Sequence, residues 1–184
     1  MFSEDREYVK RVLAGDSAAF EGLVHQYSRL GGAIAFAVLG DFGLAEDVVQ
    51  EAFLKAYGAL KTLREPEQFR LWFSGIVRRQ AIDTLRRRKR HGANELQLME
   101  SAASVANEPD ERFLREERRR KVVEAMAGLS RDDRLVIVLK HLEGLSYREI
   151  SEVTNASLSA VESRLFRARR TLKEKLVNTI GSDL

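Results

Sequence analysis

The chain has 184 residues, of which 44% are hydrophobic and 32% charged, with a formal net charge of +3 and no cysteine. That length admits one or two domains, and the balance of apolar and charged residues excludes a low-complexity disordered chain. The absence of cysteine excludes disulfides, thiolate nucleophiles and Cys-based zinc sites, and suits a reducing cytoplasm.

At the N-terminus no basic segment leads into an apolar run, so no signal peptide is read there. The most apolar stretch, residues 30–39, is too short to cross a bilayer and is bounded by glycines and Asp41. The net charge hides an uneven distribution. Residues 1–77 sum to −3, residues 78–91 to +6, residues 92–117 to −5 and residues 118–184 to +5. Two basic stretches separated by an acidic one predict two contacts with one nucleic acid.

In chain order, residues 4–15 read as a short helix with Val9, Val12 and Leu13 on one side. Asp16 is placed to cap a second helix over 18–27, whose Phe20, Leu23, Val24 and Tyr27 share a face. Gly31 and Gly32 interrupt the pattern, and a separate apolar helix is expected over 33–39, ending at Gly40. Beyond a loop at 41–43, residues 45–60 give the cleanest helix of the N-terminal half. Val48, Ala52, Leu54 or Lys55, and Tyr57 are expected inward, with Glu46, Asp47, Gln50 and Glu51 crowding one acidic end. That cluster reads either as a helix N-terminus favourable to carboxylates or as a docking patch for a basic partner. No His or second carboxylate cluster accompanies it, so a hydrolytic or metal site is not read there.

A polar loop over 61–68 contains Pro66, and a long helix then begins at Phe69. It carries Trp72, Phe73, Ile76, Val77, Ala81, Ile82 and Leu85 before the run Arg86-Arg87-Arg88-Lys89-Arg90. Aromatics followed by arginines suit unpaired nucleic acid, bases stacking on rings while cations track phosphates. The competing reading makes Phe69 and Trp72 core anchors and the arginines a solvated helix end. Residues 92–108 lack periodicity and read as a linker ahead of Pro109, and residues 110–128 return to helix. Ser130 is placed to cap a further helix that ends at Gly144.

Ser146 and Glu149 have capping-box spacing, so a helix should start there with Tyr147, Ile150 and Val153 on its buried face. Residues 154–157 form a short turn. From Leu158, the seam of Val161, Leu165, Ala168 and Leu172 marks a second amphipathic helix. Its other faces carry Ser159, Glu162, Ser163, Arg164, Arg167, Arg169 and Arg170. A short amphipathic helix, a tight turn and a longer basic helix is the sequence form of a helix-turn-helix, whose second helix reads base edges in the major groove. An ordinary helical hairpin with a solvated basic face is the alternative.

With these residues in view, the chain resembles an extracytoplasmic-function sigma factor of the sigma-70 family. The stretches that carry the resemblance are AEDVVQEAFLKAY (45–57), FRLWF (69–73), AIDTLRRR (81–88), LEGLSYREIS (142–151) and SRLFRAR (163–169). It implies an all-α protein of two small helical domains joined by a linker: residues 1–91, a linker over 92–116, and a helix-turn-helix domain over 117–184. It further implies no catalytic residue, metal or cofactor, and a cytoplasmic location without membrane insertion.

By the same resemblance, the 45–57 helix docks on the clamp helices of the largest subunit of core RNA polymerase through Asp47, Gln50, Glu51 and Leu54. Lys61, Arg64, Phe69, Trp72, Arg78, Arg79, Asp83, Arg86 and Arg87 melt and hold the single-stranded minus-ten element. Ser159, Glu162, Ser163, Arg164, Phe166, Arg167 and Arg170 read the duplex minus-thirty-five element. An anti-sigma factor is the expected inhibitory partner. Two positions depart from the family pattern: Arg79 stands where asparagine is usual, and Ala160-Val161-Glu162 where Thr-Val precedes Lys or Arg. A carboxylate at Glu162 can accept from cytosine N4 but cannot make the bidentate guanine contact of an arginine, so the promoter sequence does not follow from the resemblance.

A small regulator that binds duplex operators without polymerase is the rival binding module, and it would need neither the acidic helix nor the aromatic-arginine helix. A helical nucleic-acid hydrolase finds little support in three scattered histidines, His25, His91 and His141.

Overall fold

A computed structural model describes residues 2–90, 122 and 124–181. Among these, every regular element is helical. Helix α1, Phe2–Leu13, leads into a 3-10 turn, Ser17–Ala19, where the Asp16 carboxylate accepts from the Ala19 amide at 3.3 Å and takes the Arg11 guanidinium at 2.6 Å. Helix α2 is Phe20–Leu39, and α3 is Phe42–Ala59, capped by Asp41 through the Leu44 amide at 3.0 Å. Two 3-10 turns, Leu60–Thr62 and Pro66–Gln68, make the connection to α4, Phe69–Arg90. In the C-terminal half α5, Arg131–Ile137, continues into a π-helical turn, Val138–Leu142; α6, Tyr147–Thr154, and α7, Leu158–Gly181, follow.

Two expectations need correction. The helices read over 18–27 and 33–39 are one helix, α2, which runs through both glycines. Gly31 is buried, and a Cβ there would approach both Val49 methyls at 3.2 Å and the Phe73 ring at 3.4 Å. The glycine thus lets α2 lie close on α3 and α4, and packing on both outweighs the roughly 1 kcal/mol that a glycine costs a helix. Gly40, at φ +75°, supplies the left-handed residue that ends α2, its amide donating to the Phe36 carbonyl. The second correction concerns α3. Leu54 is 74% exposed, Tyr57 is 47% exposed and Lys55 is exposed, whereas Val49, Phe53 and Ala56 are buried with Val48 and Ala52. The inward face therefore follows the 49, 52, 53, 56 spacing, and the residues expected inward at 54, 55 and 57 face away from the core.

The N-terminal core is formed by α2, α3 and α4, where Phe53 and Phe73 stack at 4.4 Å and Phe69 lies parallel to Phe73 at 5.7 Å. Helix α1 is pinned to it by Asp5, 1% exposed, which accepts from the Tyr27 hydroxyl at 2.5 Å and the Gln26 amide at 2.9 Å. The C-terminal core gathers Val136, Leu139, Leu145, Ile150, Val161, Leu165 and Ala168. The halves meet where α2 packs on α5 and α4 on α6, and Arg70 donates to the Glu143 carbonyl. The expected linker and most of the helix read over 110–128 lie outside the described residues.

Candidate nucleic-acid interface

The α6–α7 unit is built from local signals. The Ser146 hydroxyl accepts from the Glu149 amide at 3.2 Å, while the Glu149 carboxylate accepts from the Ser146 amide at 2.7 Å, closing the capping box. Burial pushes the Glu149 carboxyl up, but these hydrogen bonds outweigh it and hold the group below the usual range. Asn155 ends α6 in the left-handed region at φ 51°, a conformation asparagine tolerates better than most residues. The Ser157 hydroxyl then accepts from the Ala160 amide at 3.2 Å and opens α7. Ile150 and Val153 are buried as expected; Tyr147 is half-buried, with the Lys140 ammonium 5.3 Å from its ring centre.

On α7, Ser159, Glu162, Ser163, Phe166, Arg167 and Arg170 are all exposed, Phe166 at 68%. An aromatic ring so displayed on a helix that buries Val161, Leu165 and Ala168 beneath it is available to a partner. Arg164 is half-buried and pairs with Asp132 at 2.8 Å, and Arg167 pairs with Asp133 at 3.2 Å. Both carboxylates sit in the first turn of α5. Sequence reading did not find these pairs, because partners some thirty residues apart leave no local signal.

The residues expected at the minus-ten element separate into groups. Phe69 is 0% exposed, ringed by Tyr27 at 5.3 Å, Trp72 at 5.8 Å and Phe73, so it is a core anchor and cannot stack on a base. Of the two readings open for the aromatic start of this helix, Phe69 takes the core-anchor one, its ring plugging the α2–α4 seam. Trp72 is partly buried against the same core. Lys61, Arg64, Arg79, Asp83, Arg86 and Arg87 are exposed. Asp83 pairs with Arg86 at 3.6 Å, and Arg87 donates to the Thr84 hydroxyl at 3.1 Å. Arg78 is half-buried, and burial pushes its guanidinium down, partly opposed by the charge of Asp132 in the other half. Its Nε finds no hydrogen-bond partner among the described residues.

On α3, Asp47, Gln50, Glu51 and Leu54 are all exposed along the side opposite the core. A largely apolar cleft of about 1040 Å³ opens beside this face, between the halves; Gly32, Ala33, Phe36, Val49, Met126 and Leu172 line it together with Glu46 and Gln50 of α3. Among the described residues no cluster of His, Asp and Glu gathers to hold a metal, and no helix is long and apolar enough to cross a membrane.

Residues 23–91 match the family described as Sigma-70 region 2, and residues 119–172 match Sigma-70, region 4. The chain is 34% identical over 180 residues to the ECF RNA polymerase sigma-E factor of Escherichia coli K12, covering 94% of each. It is 32% identical over 182 residues to that of Haemophilus influenzae, covering 94% of this chain and 95% of the relative. Among solved structures it is similar to the sigma factor RpoE bound to the anti-sigma factor NepR from Bartonella quintana, with TM-score 0.68 and 24% identity over 85% of this chain and 96% of that one. It is also similar to CnrH bound to the cytosolic domain of CnrY, with TM-score 0.66 and 25% identity over 94% and 97%. The two matched regions, in this order on two helical units, and the sigma-E relatives along nearly the whole length lead to one assignment: the chain belongs to the extracytoplasmic-function sigma factors of the sigma-70 family and is a non-enzymatic, promoter-recognising transcription-initiation factor.

Proposed function

We propose that this factor works in the cytoplasm as a bipartite reader: residues 1–91 bind core RNA polymerase and the minus-ten element, residues 92–116 link, and residues 117–184 read the minus-thirty-five element. The observation that carries the reading is the outward face of α3. A leucine 74% exposed amid Asp47, Gln50 and Glu51 is an apolar anchor in an acidic surround, the composition that suits a basic, partly apolar partner such as polymerase. On α4 and the loop before it, the exposed cations Lys61, Arg64, Arg79, Arg86 and Arg87 would hold the melted strand electrostatically, with Asp83 beside them and Trp72 and Arg78 at the margin. On α7, Ser159, Glu162, Ser163, Arg164, Phe166, Arg167 and Arg170 would face the upstream duplex, Arg164 and Arg167 exchanging their carboxylate partners for DNA.

The apolar cleft beside α3 fits an anti-sigma segment, in keeping with the inhibitor-bound relatives. Because Gln50 of the docking face is among its lining residues, an occupant would obstruct polymerase docking. Equilibrium binding of the purified protein to core polymerase, followed by run-off transcription, tests the reading. A stable complex that initiates from a promoter carrying both elements is expected; duplex binding without polymerase binding would replace it with the operator-binding regulator.

A further inference from the structure

Gln80 lies on α4 between Arg79 and Ala81, is 3% exposed, and faces α3 rather than DNA or solvent. Its amide is used at both ends. The Nε2 group donates to the Glu51 carboxylate, and Oε1 accepts from the Lys55 ammonium. Glu51 and Lys55 are one helical turn apart on α3, and both are otherwise exposed. The direction of the amide follows from its partners, since a reversed group would set its oxygen against a carboxylate and its N–H₂ against an ammonium. A buried amide clamped between two charges of opposite sign has both ends satisfied, and it removes the rotamer freedom that a surface Glu and Lys would otherwise keep.

We propose that Gln80 is a positioning residue for polymerase docking: from inside the α3–α4 interface it fixes the conformations in which Glu51 and Lys55 are presented, and it makes Lys55 a member of the docking face. The proposal rests on the assignment of α3 to polymerase. Ordering Glu51 before binding removes part of the entropy lost on association, which is how a residue that never touches the partner can raise affinity. It also ties the docking helix to the helix carrying Arg79 and Asp83, so that the two surfaces of the N-terminal unit share one internal polar contact.

The experiment is a double-mutant cycle on core-polymerase affinity, measured with fluorescently labelled full-length protein. Q80L keeps much of the side-chain volume and removes both hydrogen bonds. It is expected to weaken core binding by about three- to tenfold, while in the E51A background it costs less than about twofold, because its effect passes through Glu51. A loss of packing alone would act equally in both backgrounds, so multiplicative effects overturn the proposal, as does wild-type affinity in Q80L. If Q80L does not fold, Q80E serves. Its carboxylate faces that of Glu51, so binding should weaken, and the weakening should be smaller in an E51Q background, where a donor again meets an acceptor. Equal weakening in both backgrounds overturns the proposal. If E51A itself binds as tightly as wild type, the assignment of α3 is what fails; if E51A weakens binding and the Gln80 variants do not, only the positioning role fails.

Discussion

The α3–α4 pair and the α6–α7 hairpin solve the same problem, ordering polar side chains beside a binding face, with partners at different distances along the chain. In the hairpin the caps and turn contacts join neighbours, while Arg164 and Arg167 reach back to Asp132 and Asp133 of α5. Ser146 and Glu149 cap each other, Thr154 donates to the Ile150 carbonyl at 2.6 Å and Ser151 to the Ala156 carbonyl at 2.6 Å. In the N-terminal half, Gln80 reaches Glu51 and Lys55 across 29 and 25 residues, and Asp5 meets Tyr27 and Gln26 across 22 and 21. The caps and turn of the hairpin thus carry their own specification, whereas the contacts of Gln80 and Asp5 exist only once the N-terminal helices have packed. Damage to the first should stay local and small; damage to the second should spread through the core.

The largest contrast is between two phenylalanines. Phe69→Ala empties a site enclosed by Tyr27, Trp72 and Phe73 and should cost about 3–5 kcal/mol of stability by chemical denaturation. Phe166→Ala should change stability by less than about 0.5 kcal/mol and instead weaken upstream duplex binding in a gel-shift titration. Equal effects of the two on unfolding would erase the distinction between core and display aromatics.

A smaller effect is expected at Asp5. Burial raises its carboxyl above the usual range, against the hydrogen bonds from Tyr27 and Gln26, and the Tyr27 hydroxyl is in turn pushed up by burial and by Asp5. Asp5→Ala should cost about 1–3 kcal/mol by leaving that hydroxyl and the Gln26 amide short of an acceptor. The pH dependence has a defined sign. Because the folded state favours the protonated carboxyl, the contribution of Asp5 is full below its unfolded pKa and declines as pH rises through the higher folded value. Asp5→Asn should remove that slope, which parallel denaturation series from acidic to neutral pH would reveal.

In the hairpin the corresponding test is Ser146→Ala, expected to cost about 1 kcal/mol at neutral pH. The sign with pH is opposite to that at Asp5. Glu149 titrates below its ordinary range when folded, so its share of the capping box is present above the unfolded pKa and lost as pH falls through the folded one. The difference between wild type and Glu149→Ala should therefore narrow on acidification, and a constant difference would mean that the bond the Ser146 amide donates to the Glu149 carboxylate contributes nothing.

The same division explains what could be read from sequence. The capping box, the turn at Asn155 and the Val161–Leu165–Ala168 seam are written within a few residues, and the structure bears out all three. Periodicity reads every regular segment as helix, the resemblance implies the all-α class, and every regular element among the described residues is helical. Apolar character alone does not give side-chain direction on α3: Leu54 and Tyr57 face outward because Val49, Ala52, Phe53 and Ala56 already fill the core side. Phe69 had two readings, and only the position of Tyr27 on a helix some forty residues earlier decides between them. Gln80, Lys55 and the carboxylates of Asp132 and Asp133 carry no signal in their own segments, since what makes them interesting is the helix packed opposite.

The smallest prediction turns on the glycine pair that was taken to end a helix. Gly31 and Gly32 occupy adjacent positions in the middle of α2, so they share helix propensity and differ in what surrounds them. A Cβ at Gly32 would meet nothing within 4 Å among the described residues, while one at Gly31 would press on Val49 and Phe73. Gly32→Ala should therefore stabilise the protein by about 0.5–1 kcal/mol, through the conformational entropy that glycine gives the unfolded chain. Gly31→Ala gains the same entropy but must displace Val49, a residue of the α2–α3 seam, and should be net destabilising. Urea denaturation of the two single variants measures this directly. Stabilisation by both would mean the seam yields easily to an added methyl, and destabilisation by both would mean that Gly32 serves the cleft that it lines rather than the helix.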